Sequence, residues 1–189
     1  LRSAALMGPD LPFTRSMYGA YLSREGMFEA AMRELSAALA LAHDDDDGEV
    51  LTEWGVALAL SERPDEAAEA FYKAWEVDPE DGWARSLAGL VLVSVGRTED
   101  ALDDLLGAAD LRPDDIELAL LASLAASAQG EEDRALELVE RARLQAIPGD
   151  LALVEAVSDR VDEGYEASKT FLEENFVTGA LRERLMTRP

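Results

Sequence analysis

The feature that most narrows the fold of this chain is a period. Residues 48–81, GEVLTEWGVALALSERPDEAAEAFYKAWEVDPED, and 82–115, GWARSLAGLVLVSVGRTEDALDDLLGAADLRPDD, are each 34 residues long and align without a gap. With slots numbered from the first residue of each unit, slot 8 holds Gly55 and Gly89, and slot 20 holds Ala67 and Ala101. Slot 24 holds Phe71 and Leu105, slot 27 Ala74 and Ala108, and slot 32 Pro79 and Pro113. The next unit, 116–149, keeps Ala135, Val139 and Ala142 at slots 20, 24 and 27. Its Gly130 stands at slot 15, as Gly96 does in the unit before, and its Pro148 arrives one residue late. Unit 12–47 supplies Gly19, Gly26, Ala31, Leu35 and Ala38 at slots 8, 15, 20, 24 and 27, and is two residues longer. A fixed period of this length indicates stacked copies of one supersecondary unit.

Each recurring slot has a mechanical reason. Alanine at slots 20 and 27 suits a close approach of paired helices, which a longer side chain would force apart. Glycine at slot 8 lets the second helix cross near the first. Proline at slot 32 ends the second helix, because it cannot continue one and biases its predecessor away from helix. Ala67, Phe71 and Ala74 are spaced by four and three, which is one helical face. Helices are therefore predicted near 48–61, 65–77, 82–95, 98–111, 116–129 and 132–145, with neighbours antiparallel. Ala67, Ala74, Ala101, Ala108, Ala135 and Ala142 are predicted at their buried contacts.

This set of slots resembles the tetratricopeptide repeat, a helix–turn–helix unit of 34 residues. The resemblance is closest over 48–115, looser over 12–47 and 116–149, and fades beyond. It implies an all-α fold, a right-handed solenoid of stacked antiparallel helix pairs, with four repeats at 12–47, 48–81, 82–115 and 116–149. One departure is clear. The family's large residue at slot 4 is replaced by Arg15, Arg85 and Ala119.

The ends are less regular. With Pro9 placed at slot 32, Leu1 falls at slot 24 and Ala4 at slot 27, so 1–11 is expected to be the tail of a truncated earlier repeat in a longer protein. After Pro148 the period decays. A helix is predicted from Asp150, as N-cap, to Gly164, as terminator, then a second over 165–177 and a short closing helix over 180–188. Residues 150–189 are expected to be a degenerate fifth repeat or capping helices, the atypical last unit a solenoid needs.

The stretch LALAHDDDDGEVL, residues 39–51, holds the sole histidine, His43, and the run Asp44 to Asp47. A calcium loop of EF-hand type with Gly48 at its sharp turn would start at His43 and need glutamate where Trp54 stands, so it fails at both ends. A lone histidine makes no zinc site without further ligands. The run occupies the turn between units, where aspartate caps the next helix and suits its positive end. The turns 78–82 and 112–115, DPEDG and RPDD, are expected to do the same. No metal and no cofactor are expected.

Forty acidic against 17 basic residues give a net charge of −23, which repels phosphate and leaves nucleic acid and anionic membranes as improbable partners. A charge of this sign means a solvated coat, as in a salt-adapted source, or attraction of a basic partner, and it bears on solubility first. No apolar run is long enough for a membrane span, and a cytoplasmic chain is expected. There is no cysteine, His43 has no plausible nucleophile nearby, and no phosphate loop is present, so no enzyme is expected.

A helical-repeat array offers instead a concave surface lined by the first helix of each unit. Slots 2, 5, 6, 9, 12 and 13 face away from the partner helix. In unit 12–47 they hold Phe13, Ser16, Met17, Ala20, Ser23 and Arg24, and in unit 48–81 Glu49, Thr52, Glu53, Val56, Ala59 and Leu60. Units 82–115 and 116–149 place Trp83, Leu87, Leu90, Leu120, Leu121 and Leu124 there, apolar on both faces of the helix. Such helices are covered. The expected cover is an apolar partner peptide, a second copy of the chain, or the chain's own C-terminal helices. Relatives that grip a C-terminal carboxylate use Lys, Arg and Asn in this groove, whereas Arg24 is the sole cation at these slots. The expected function is a protein–protein interaction scaffold whose partner groove is formed by those six residues. The alternatives are a self-assembly domain forming a homo-oligomer and a regulatory repeat domain of a larger enzyme.

Overall fold

In the computed structural model the described residues are 11–42, 47–80, 82–176 and 183–186. Their elements are α1 (Pro12–Arg24), α2 (Phe28–Leu41), α3 (Asp47–Leu60), α4 (Pro64–Val77), α5 (Gly82–Ser94), α6 (Thr98–Leu111), α7 (Ile116–Ser127), α8 (Glu132–Gln145), α9 (Leu151–Glu163) and α10 (Tyr165–Phe171). A π-helical turn, Leu172–Phe176, continues α10, and residues 183–186 are helical. Among the described residues there is no strand. The expected helix bounds over 48–145 are met within two residues. The truncated repeat proposed for 1–11 and the run His43 to Asp46 lie outside the described residues, apart from Leu11. So does most of the closing helix expected over 180–188, of which 183–186 are described.

Consecutive helices pair as α1–α2, α3–α4, α5–α6 and α7–α8, and each second helix packs on the first helix of the next pair. The fold is an all-α solenoid of stacked helix pairs. Ala31, Ala38, Ala67, Ala74, Ala101, Ala108, Ala135 and Ala142 are all at most 2% exposed. At slot 8 the packing is steric and paired with slot 24. A Cβ added to Gly19 would lie 2.5 Å from Leu35, one on Gly55 2.5 Å from the Phe71 ring, and one on Gly89 2.9 Å from Leu105. In unit 116–149 slot 8 becomes Ser123 and slot 24 shrinks to Val139, both buried. A larger residue on one helix is matched by a smaller one on the other, as close packing requires.

The slot 4 departures obey the same logic with charge. Arg15 (slot 4) donates to Glu34 (slot 23) at 2.8 Å, and Arg85 (slot 4) lies 3.4 Å from Asp104 (slot 23). Unit 48–81 has Leu51 with Ala70 at these slots, and unit 116–149 has Ala119 with Leu138. An arginine therefore enters slot 4 only where slot 23 is acidic. Arg85 also donates to the Asp103 carbonyl at 2.9 Å and stacks 4.7 Å over the Trp75 ring. Its guanidinium fills the space beside Gly107, where a Cβ would fall 1.8 Å from Nη1. Tyr72 donates to Asp104 at 2.5 Å. Burial pushes the Asp104 carboxyl above its usual range, against the pull of Tyr72 and Arg85.

The turns agree with expectation in part. Asp115 caps α7, accepting from the Leu118 amide at 3.0 Å. Asp78 accepts from the Glu80 amide at 3.2 Å, within its own turn, and Asp81, which directly precedes α5, lies outside the described residues. Asp150 stands at the N-cap position of α9, but its side chain turns back to the Ile147 amide at 3.1 Å. Gly164 ends α9 with φ at 92°. The second expected C-terminal helix begins as α-helix and finishes as the π turn.

Candidate interaction surface

The face formed by the first helix of each pair, expected from the sequence to be the concave one, is divided into an open half and a closed half. The open half is made by α1 and α3. Phe13, Ser16, Met17, Ala20, Tyr21, Arg24, Glu49 and Glu53 line a shallow pocket of about 350 Å³. Phe13 is 56% exposed and Met17 43%, while Ser16 is buried at the floor, its hydroxyl without a hydrogen-bond partner among the described residues. Arg24 spans α1 to α3 by donating from Nη1 and Nη2 to the two Glu53 carboxylate oxygens at 3.2 and 3.4 Å. Its third donor, Nε, meets the Met186 carbonyl at 3.3 Å. The cation noted in the sequence is thus engaged by protein groups.

The closed half is made by α5 and α7. Leu87, Leu90, Leu120, Leu121 and Leu124 are fully buried, and Trp83 is 6% exposed. They share one core cluster with Leu172 of the π turn and with Leu185. The π turn packs against α5 and α7, and α9 and α10 pack against α7. Polar contacts fix this arrangement. The Ser168 hydroxyl on α10 lies 2.8 Å from the Ser127 hydroxyl on α7, both buried, and Thr98 lies 3.3 Å from Glu173. Of the three covers the sequence left open, the chain's own C-terminal elements occupy this face.

One arginine closes the far end. Arg184, 6% exposed, donates from Nη1 and Nη2 to the two Asp115 carboxylate oxygens at 2.9 and 2.6 Å, and Nη2 lies 3.1 Å from Glu117. Its guanidinium stands 5.6 Å from the Trp83 ring centroid, and Arg112 stands 5.4 Å from the same ring. Burial acts to raise the Asp115 pKa, but the Arg184 hydrogen bonds and charge outweigh it and leave the group below its ordinary value. Burial dominates at Glu117 and raises it. Sequence reasoning missed Arg184. Its only signal was an arginine followed by leucine in the terminal ALRERLMTR stretch. No described helix is long and apolar enough to cross a membrane.

Comparison with known proteins agrees with this architecture. The tetratricopeptide-repeat family model matches residues 58–124. No curated protein matches the chain. Among solved structures, a crystal structure of MamA superposes with a TM-score of 0.65 at 19% identity, covering 76% of this chain and 83% of that one. YrrB, described as a tetratricopeptide-repeat protein with an unusual peptide-binding site, gives 0.62 at 19% identity over 82% of this chain and 78% of that one. MamA from Desulfovibrio magneticus RS-1 gives 0.62 at 23% identity over 89% and 96%. At these identities the likeness is one of fold. With the repeated slots, the stacked helix pairs and the family match over 58–124 in agreement, the chain has the fold of a tetratricopeptide-repeat solenoid.

Proposed function

We propose that this chain is a non-catalytic protein–protein interaction scaffold that holds an apolar segment of another protein along its concave face. The observation that carries the reading is the open half of that face. Phe13, Met17 and Tyr21 are large, apolar and more than two-fifths exposed, and they sit around a buried hydroxyl, Ser16, that has no partner among the described residues. A segment lying there would remove apolar area from water and give that hydroxyl an acceptor or donor. The strip Trp83, Leu87, Leu90, Leu120, Leu121 and Leu124 is the rear of the same surface, held shut by the chain's own C-terminal elements. The peptide-binding site described for YrrB supports use of this fold for holding peptides.

The test is selection of displayed random peptides on the full chain, repeated on Phe13→Asp and Met17→Asp. Both side chains are exposed, so the variants should fold and circular dichroism should be unchanged. Apolar peptides enriched on the parent chain and lost on both variants are the expected result. Binders that ignore both substitutions would place the interaction elsewhere and overturn the proposal.

A further inference from the structure

The closed half carries a more specific inference, which rests on the concave-face reading. The pocket around Arg184 is built for a guanidinium. Asp115 presents both carboxylate oxygens to it in a bidentate fork, Glu117 adds a third, and Trp83 adds a ring face. Planar, bidentate pairing with an aromatic wall selects arginine over lysine. The pocket is rigidly based, because Asp115 also caps α7 through the Leu118 amide and Trp83 is almost wholly buried. An open cavity of about 630 Å³ shares Asp115 and Glu117 and is bordered by Asp114 and Asp150. Its charged lining is four carboxylates against one cation, Arg112.

The resident arginine fits this pocket imperfectly. Arg184 Nε is buried and has no hydrogen-bond partner among the described residues. A buried donor left unsatisfied weakens the complex that contains it. Of residues 183–186, Arg184 and Leu185 are buried and Glu183 and Met186 are exposed. We propose that the Asp115–Glu117–Trp83 pocket is a recognition site for an arginine followed by an apolar residue in a basic partner protein, with the chain's own Arg184 and Leu185 as its resident competitor. The charge of −23 draws such a partner toward the surface. An incoming arginine displaces the resident one and lifts Leu185 from the leucine strip, which the π turn, α9 and α10 still cover.

The probe is a labelled peptide with the sequence of residues 177–189, VTGALRERLMTRP, followed by fluorescence anisotropy on the full chain. Removing the competitor by Arg184→Gln should tighten binding at least tenfold over the parent. Adding Asp115→Asn, which keeps the helix cap, should remove that gain. Hydrogen exchange supplies a readout without substitution: excess peptide should speed exchange of amides 183–186 in the parent chain, and a peptide with glutamine in place of its second arginine should not. Equal binding by the parent and Arg184→Gln, or indifference to Asp115→Asn, overturns the pocket. If peptide binding is instead lost on Met17→Asp and kept on Asp115→Asn, the concave face stands and the arginine pocket falls. Light scattering closes the remaining route. A parent dimer that Arg184→Gln converts to monomer would make a second copy the occupant and overturn assignment to a separate partner.

Discussion

Slot 15 gives a prediction whose control lies within the same molecule. Gly26, Gly96 and Gly130 hold this slot with φ of 76°, 77° and 81°, and a Cβ on any of them would meet nothing within 4 Å. Glycine is there for its backbone alone. In unit 48–81 the slot is Glu62, at φ 61° and exposed. The hydrogen bonds are the same in all four units. At Glu62 they are Glu62 amide to Ala59 carbonyl at 3.1 Å and Arg63 amide to Leu58 carbonyl at 3.0 Å, the paired bonds of a Schellman ending. A left-handed backbone costs an L-residue about 1–2 kcal/mol. Glycine returns about 0.5–1 kcal/mol of that through its greater freedom in the unfolded chain. Glu62→Gly should therefore stabilise the array by about 0.5–1 kcal/mol, and Gly96→Ala should destabilise it by about 1 kcal/mol. For a chain of this length the first change raises the melting temperature by about 1–4 °C. Thermal unfolding followed by circular dichroism at one salt concentration reads both. A lower melting temperature for Glu62→Gly, or no loss for Gly96→Ala, would refute the claim that backbone handedness alone selects glycine here.

Three further outcomes follow from packing and charge. Gly55→Ala drives a methyl into the Phe71 ring and should cost about 1–3 kcal/mol, while Gly55→Ser with Phe71→Val copies the Ser123–Val139 solution and should recover part of it in a double-mutant cycle. Leu121→Asp buries an unpaired charge between α7 and the C-terminal cover, so helix content should fall and the melting temperature drop sharply by circular dichroism; an unchanged melt would mean that this face opens freely. Added NaCl should raise the melting temperature, because screening within about 10 Å at 0.1 M relieves self-repulsion of the −23 charge; flat or falling stability up to molar salt would count against salt adaptation.

The parts of the fold legible in the sequence are those that repeat with it. Alanine at slots 20 and 27, glycine at slot 8 and the helix bounds of 48–145 are set by contacts inside one unit or between neighbours. The same chemistry therefore recurs every 34 residues and announces itself. Even the slot 4 arginines were readable in principle. Arg15 with Glu34 and Arg85 with Asp104 share a separation of 19 residues, and the departure and its compensation sit in the same two units. Cap assignment was weaker because aspartate in a turn has several amides within reach, and Asp78 and Asp150 each took one outside the helix that follows.

The closing of the concave face has no such signature. Arg184 meets Asp115 across 69 residues and Ser168 meets Ser127 across 41, each contact occurring once. A single contact leaves no period, so the sequence could state only that the apolar helices α5 and α7 must be covered. Asp115 illustrates the difference. Its cap on Leu118 is local and was expected from the turn, while its fork around Arg184 depends on where a distant segment lands. The same carboxylate ends one pattern and begins the other. It joins the repeat architecture, which sequence specifies through periodicity, to the occupancy of the groove, which a competing arginine can change without altering any repeated slot.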